Sequence, residues 1–508
     1  MSAAPRELNR RAIFAGANFA FLLVVVLAAV YGGGDNPRIA YLMLLFALCS
    51  SPILYVDSLN GRYTILVVLL TLFFIYYGAL DLFGAYAGMP FSSSTGVLDT
   101  AEIAILAGVG GLILGYMLAS SVASRGEAHH SVKDWSGRTV ITVGLIAWLC
   151  GLLATAYWQL VIERVAGRSE YNFGAITGIA LVVGRQLQPM GVALLAYRLV
   201  VSRSRALLFV VIAVLAVEFV FGFVADSKEL SIRGVLIVIL AKILIDARIP
   251  TKWLLSLVAV SVLAFPVFQA YRFEVLQERE VDRIAALQNI GKSLGTALNS
   301  SKLGSNRENS NATSRFGNAG ALGRVSLKGT MEVIIKRAGK DVKFQDGHSI
   351  GLLATSLIPR FFFEHKPDSS VGQLFNREFH LSEDPDTFIS ATHLGELYWN
   401  FGWPGIFIGT PFIGFLMGLV NGRFALHRRP TATRFLVLVA TIYFICLRFE
   451  GGIALQYTLW LRSLLLVGVG HLLFAHSVVP LAEDPAQRKP LRDAGVIDKA
   501  APFPNLLR

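Results

Sequence analysis

The sequence predicts an all-α integral membrane protein with about twelve transmembrane helices and one large outer loop before the last three. Three observations predict it. The 508 residues are 54% hydrophobic and 16% charged, with a mean hydropathy of +0.58; a soluble chain carries about a quarter charged residues. Apolar runs of about 20 residues, enough to cross a bilayer, recur along the chain. The basic residues alternate from loop to loop between these runs.

The expected spans lie at 12–31, 39–56, 63–83, 101–122, 139–160, 174–200, 206–225, 230–247, 253–271, 402–422, 434–450 and 454–475. Arg6, Arg10 and Arg11 precede the first, whose core is too long for a cleaved signal peptide. With the N-terminus inside, the inner segments hold Arg62, then Arg125, Lys133 and Arg138, then Arg198, Arg203 and Arg205. Arg248 and Lys252 follow, then Arg423, Arg428, Arg429 and Arg434. The short outer loops hold far fewer basic residues. This asymmetry predicts cytoplasmic termini and places the long insertion outside. The expected organisation is therefore 1–271 (nine spans), 272–401 (outer loop domain), 402–476 (three spans) and 477–508 (cytoplasmic tail).

Within the insertion, 273–298 has a charged amphipathic pattern that predicts a helix, and 304–323 is rich in Ser, Asn and Gly. A short helix is expected at 326–337. The stretch 357–367 mixes Phe361, Phe362 and Phe363 with charges between Pro359 and Pro367, the pattern of a segment on the membrane interface.

Several function classes are excluded. The net charge of +12 sits mainly in short loops, which explains it without nucleic acid. Cys49, Cys150 and Cys446 lie within apolar runs, with no spacing for a disulfide framework or a zinc site. The chain has no phosphate-binding Gly-rich loop ending in Lys, no His-Glu-x-x-His and no Gly-x-Ser-x-Gly. No metal or other cofactor is expected.

The candidate chemistry gathers where the insertion closes and runs into a span. If 392–401 is helical, His393, Glu396 and Asn400 share one face. Glu396 is the candidate general base, because a carboxylate at a bilayer edge has a raised pKa and can take an alcohol proton. His393 is the rival base. Tyr398 joins Asn400 as a substrate contact. Trp399 and Trp403 are expected at the interface, and Pro404 in the first turn of the next helix. Arg360 and Lys366 flank the Phe triplet; Arg in particular suits phosphate. Arg185, inside the sixth span, either pairs with Glu218 or binds an anionic ligand. Arg448 forms an ion pair with Glu450 or lines the cavity rim. His348, after Asp346 and Gly347, is expected on the surface.

Two stretches carry a family resemblance: Leu357-Ile358-Pro359-Arg360 with Lys366-Pro367, and 394–405, Leu-Gly-Glu-Leu-Tyr-Trp-Asn-Phe-Gly-Trp-Pro-Gly. They resemble the outer loop and following helix of bacterial O-antigen and exopolysaccharide repeat-unit polymerases, the Wzy type. The layout, many spans with one late outer loop, is similar too. The resemblance implies a glycosyltransferase in the bacterial inner membrane with its large loop periplasmic. Its substrates would be undecaprenyl-diphosphate-linked oligosaccharides, and it would act without nucleotide or metal. Its partners would be membrane lipids and a chain-length regulator protein. Matched residue by residue, the resemblance points to Arg360, Lys366, Glu396 and Asn400; the role of His393 rests on the helix face alone. The rival readings are an O-antigen ligase-like transferase and a transporter or flippase of polysaccharide or lipid-linked oligosaccharide. A transporter is expected to show two similar halves, and no such repeat is visible. A structural scaffold of the cell envelope is a further class.

Overall fold

A computed structural model describes residues 37–55, 64–79, 98–123, 133–159, 175–225, 227–246, 252–253, 327–358, 371–381, 388–424 and 431–477. The described residues are mostly helical. The apolar runs fold as α1 (Pro37–Tyr55), α2 (Thr64–Phe74, continued by a π turn at Ile75–Ala79) and α3 (Thr100–Ala123). After a short strand, β1 (Lys133–Trp135), come α4 (Gly137–Tyr157), α5 (Ala175–Ser202), α6 (Arg205–Val224) and α7 (Lys228–Asp246). In lipid a backbone must satisfy its own polar groups, so such runs close as helices. Five helices are long and apolar enough to cross a membrane: Thr100–Ala119, Gly137–Tyr157, Arg205–Val224, Gly405–Phe424 and Ile453–Phe474. The expected first span, and nearly all of the ninth, lie outside the described residues.

The described part of the insertion forms four short helices: α8 (Lys328–Arg337), α9 (His348–Leu357), α10 (Val371–Phe379) and α11 (His393–Phe401). The helix expected at 273–298, the polar stretch 304–323 and most of 357–367 lie outside the described residues. The chain then enters α12 (Thr410–Phe424) through a π turn at Gly405–Gly409. α13 (Ala432–Thr441) runs into a second π turn (Ile442–Leu447), and α14 (Ile453–Phe474) ends in β2 (Ala475–Ser477). β1 and β2 pair antiparallel, Asp134 opposite His476.

Small residues let the long helices touch backbone to backbone. A Cβ on Gly115 of α3 would lie 1.9 Å from the Pro411 carbonyl of α12, and one on Gly414 would lie 2.1 Å from the Leu112 carbonyl. The loop helices are fastened to this bundle. Lys328 Nζ lies 2.6 Å from Glu102 Oε1 of α3, the side chains 5% and 4% exposed. The Leu327 N–H donates to the Tyr76 carbonyl at 3.0 Å.

α14 sets the long axis of the site. Its 22 residues span about 33 Å, enough to cross a hydrocarbon core. α11 packs at its first turn and the β1–β2 ribbon closes its far end.

Candidate functional site

α11 forms as the residue spacing predicts, and every side chain from His393 to Asn400 is buried. Its start is held from three sides. The Thr392 hydroxyl caps the helix by accepting the Gly395 N–H at 3.0 Å, and it also accepts the Tyr77 hydroxyl at 3.0 Å. The N–H groups of Thr392 and His393 donate to the carbonyls of Glu450 and Phe449 at 3.2 and 3.0 Å. Thr392 is thereby kept at φ 62°, ψ 159°, a backbone region nearly reserved for glycine. Gly402, at φ +61°, ends the helix and lets the chain turn into α12.

Glu396 is 0% exposed. Its Oε1 accepts the Ser349 hydroxyl at 2.7 Å, and its Oε2 accepts the Ile453 N–H at 2.6 Å. Ile453 opens α14, so the carboxylate also sits at the positive end of a long helix dipole. Asn400 Nδ2 donates both to Ser349 Oγ and to the Glu396 carbonyl, each at 2.7 Å. Burial nevertheless dominates and pushes the Glu396 pKa from 4.5 up to about 7, the two hydrogen bonds opposing it. His393 goes the other way: burial lowers it to about 3, so its imidazole is neutral. The ring lies 5.7 Å from that of Tyr457. On α11 and the start of α14, four buried polar atoms have no hydrogen-bond partner among the described residues: His393 Nε2, Asn400 Oδ1, Gln456 Oε1 and the Tyr457 hydroxyl.

The other predicted residues are placed as follows. Tyr398 is buried, edge-on to Phe344 and Trp403. Pro404 lies in the turn that opens the next helix. His348 is exposed, as expected. Arg360 and Lys366 lie outside the described residues. Arg448 pairs with Glu229 of α7, NH2 to Oε2 at 2.7 Å, rather than with Glu450. Tyr443 donates its hydroxyl to the other Glu229 oxygen.

Two further expectations are corrected. Arg185 does not pair with Glu218. Its side chain is exposed and its guanidinium lies over the Trp158 ring, 4.8 Å from the centroid, a contact that keeps the cation at an aromatic face. Glu218 is instead bound by Arg233 at 3.2 Å and by Gln188 at 3.0 Å, and Gln188 accepts the Thr155 hydroxyl at 2.9 Å. Trp399 is not interfacial. It is 0% exposed, wedged between Phe375 and Phe379, with its indole N–H on the Lys343 carbonyl at 3.2 Å. Three aromatic rings bury one another better than any could be served at a wet boundary.

Sequence reasoning missed Ser349, Ile453, Glu229 and Arg233. A serine just after a turn and an amide opening an apolar span carry no local signal. Glu229 and Arg233 were visible as charges beside a span, and i, i+4 spacing put both on one helix face.

Chemically, a carboxyl near neutrality, held in one geometry, fits proton transfer at ordinary pH. His393 does not fit as a base, because a group that protonates only near pH 3 takes a proton weakly. Among the described residues no group of His, Cys, Asp or Glu is arranged to hold a metal ion. One narrow hollow borders His393 and Thr410, lined otherwise by apolar residues that include Leu69, Leu112, Leu394 and Ile413. Comparison with family models, with curated proteins and with solved structures returns no match.

Proposed function

We propose that the protein is a membrane glycosyltransferase that polymerises undecaprenyl-diphosphate-linked oligosaccharide repeat units into O-antigen or exopolysaccharide. In this reading it is a twelve-span protein of the bacterial inner membrane, with both termini cytoplasmic and α8–α11 on the periplasmic side. The observation that carries the reading is Glu396: a buried carboxyl with a pKa near 7, fixed by Ser349 and Ile453, with unpartnered polar atoms on α11 and the start of α14. The resemblance of 394–405 to the repeat-unit polymerases supplies the substrate class. The positions of Glu396 and the β1–β2 ribbon at opposite ends of α14 agree with the sidedness that the loop charges predict.

The reaction is a glycosyl exchange. A hydroxyl on the non-reducing end of a new lipid-linked unit attacks the anomeric carbon of the growing chain. The new carbon–oxygen bond forms as the bond to the carrier diphosphate breaks, and the diphosphate leaves with the electron pair. Glu396 takes the hydroxyl proton. Asn400 and neutral His393 orient hydroxyls. Arg360, Lys366, Arg185 and Arg448 are the cations available to the leaving diphosphate. Glu396 is closed off in this structure, so acceptor entry accompanies a shift of the chain around it.

Purified protein in lipid nanodiscs, supplied with synthetic lipid-linked repeat units, tests the reading. A product ladder is expected from wild type and none from Glu396→Gln. A ladder from Glu396→Gln, or none from folded wild type, removes the proposal.

A further inference from the structure

We propose that Arg448 is an oxyanion site held shut by Glu229, and that a phosphate or diphosphate group opens it by taking Arg448 away. This rests on the reading of Arg448 as a substrate contact and adds how that contact is regulated.

Among the described residues two Arg–Glu pairs involve α7, and they differ in burial. Arg233 and Glu218 are 6% and 1% exposed, so separating them strands a charge away from water. Arg448 and Glu229 are 30% and 42% exposed. An exposed pair contributes little and exchanges partners easily. The planar guanidinium fork of Arg448 fits phosphate oxygens as well as a carboxylate. Glu229 is not abandoned by the exchange: Tyr443 donates to it, and Arg233 lies within electrostatic reach. Tyr443 also borders a narrow apolar hollow with Met190, Ile237 and Val439.

The pair is wired to Glu396 through five residues of chain. Arg448 is followed by Phe449 and Glu450, whose carbonyls hold the start of α11, and the segment ends at Ile453, whose N–H holds Glu396 Oε2. Gly451 and Gly452 lie between, and the Gly451 N–H is held on the Arg448 carbonyl at 2.9 Å. Exchange of the Arg448 partner is therefore transmitted to the carboxylate. Glu229 acts as a positioning residue in this scheme.

The test is oxyanion binding to the full chain in nanodiscs of neutral phospholipid, with inorganic pyrophosphate and farnesyl diphosphate as probes. Glu229→Gln is expected to bind at least one of them about fivefold or more tightly than wild type, and Arg448→Ala is expected to lose that binding. Binding of both probes means that the oxyanion alone is read; binding of farnesyl diphosphate alone means a lipid headgroup. Equal affinity in wild type and Glu229→Gln, or binding that survives Arg448→Ala, overturns the proposal. If Glu229→Gln does not fold, Tyr443→Phe is the second variant: it removes the donor that stays on Glu229 after the exchange, so oxyanion binding is expected to weaken relative to wild type, and unchanged or tighter binding there overturns the proposal as well. Hydrogen exchange at the Ile453 amide is expected to speed up when probe binds, and unchanged exchange sinks the link to Glu396. A missing product ladder would instead count against the polymerase and leave these binding results standing.

Discussion

Glu396 Oε2 lies 2.6 Å from the backbone nitrogen of Ile453, so the acid of α11 rests on the first turn of α14. The bond ties the carboxyl to a helix long and apolar enough to cross a membrane. Together with the Ser349 hydroxyl it opposes, without overcoming, the effect of burial on that carboxyl.

The first prediction follows from the proton on Glu396. The unfolded chain ionises this group near 4.5 and the native chain near 7. Between these values the native state holds a proton that the unfolded state has lost, so stability falls as pH rises. Below 4.5 both states are protonated and the contribution is flat; above 7 the loss is complete, roughly 3 kcal/mol. Glu396→Gln is expected to remove this slope, measured as the thermal midpoint in detergent from pH 4 to 8. An identical slope in the variant would show that the group titrates elsewhere.

Ser349→Ala removes the donor on Glu396 Oε1 and the acceptor of Asn400 Nδ2. Losing one partner of a buried network is expected to reduce stability by about 1–3 kcal/mol. The Glu396 pKa then rises further, because the lost bond favoured the ionised form. The pH profile of polymer formation should move to higher pH, with its plateau kept once the base is ionised. A drop in rate with no movement of the profile contradicts the assignment of Glu396 as the base.

Thr392 separates strain from capping. Its φ of 62° suits glycine, while its hydroxyl caps α11. Thr392→Gly relieves strain of about 1–3 kcal/mol and forfeits a cap of about 0.5–2 kcal/mol, so its stability stays close to wild type. Thr392→Ala keeps the strain and loses the cap, a net loss of about 1–2 kcal/mol. Chemical denaturation of both variants, side by side, decides it; equal losses would mean that the backbone is relaxed.

Lys328 and Glu102 clamp the loop domain to α3. Lys328→Met leaves Glu102 buried without its main cation, a loss of about 3–5 kcal/mol. Adding Glu102→Gln to Lys328→Met should return much of the loss. A double variant as unstable as the single one would locate the damage in packing around Tyr41, whose ring also faces Lys328 at 5.0 Å.

Much of this arrangement was legible in the residues, and the part that was not shares one cause. Hydropathy located the helices because lipid leaves the backbone no alternative. The spacing of His393, Glu396 and Asn400 predicted α11 and its polar face. Partner choice escaped detection: Glu218 takes Arg233 rather than Arg185, Arg448 takes Glu229 rather than Glu450, and Glu396 takes Ser349. Those choices depend on which helices become neighbours, and a local pattern carries no record of it. Trp399 was misplaced for a similar reason, since Phe375 and Phe379 reach it from another helix.

The tether between Glu396 and Ile453 also constrains biogenesis. Ile453 leaves the ribosome 57 residues after Glu396. Until that last hairpin is delivered, the acid lacks one of its two anchors. A chain terminated before residue 453 therefore presents an unfinished centre, however well its earlier passes have been inserted. The buried carboxyl therefore gains its second anchor only once residue 453 has been made.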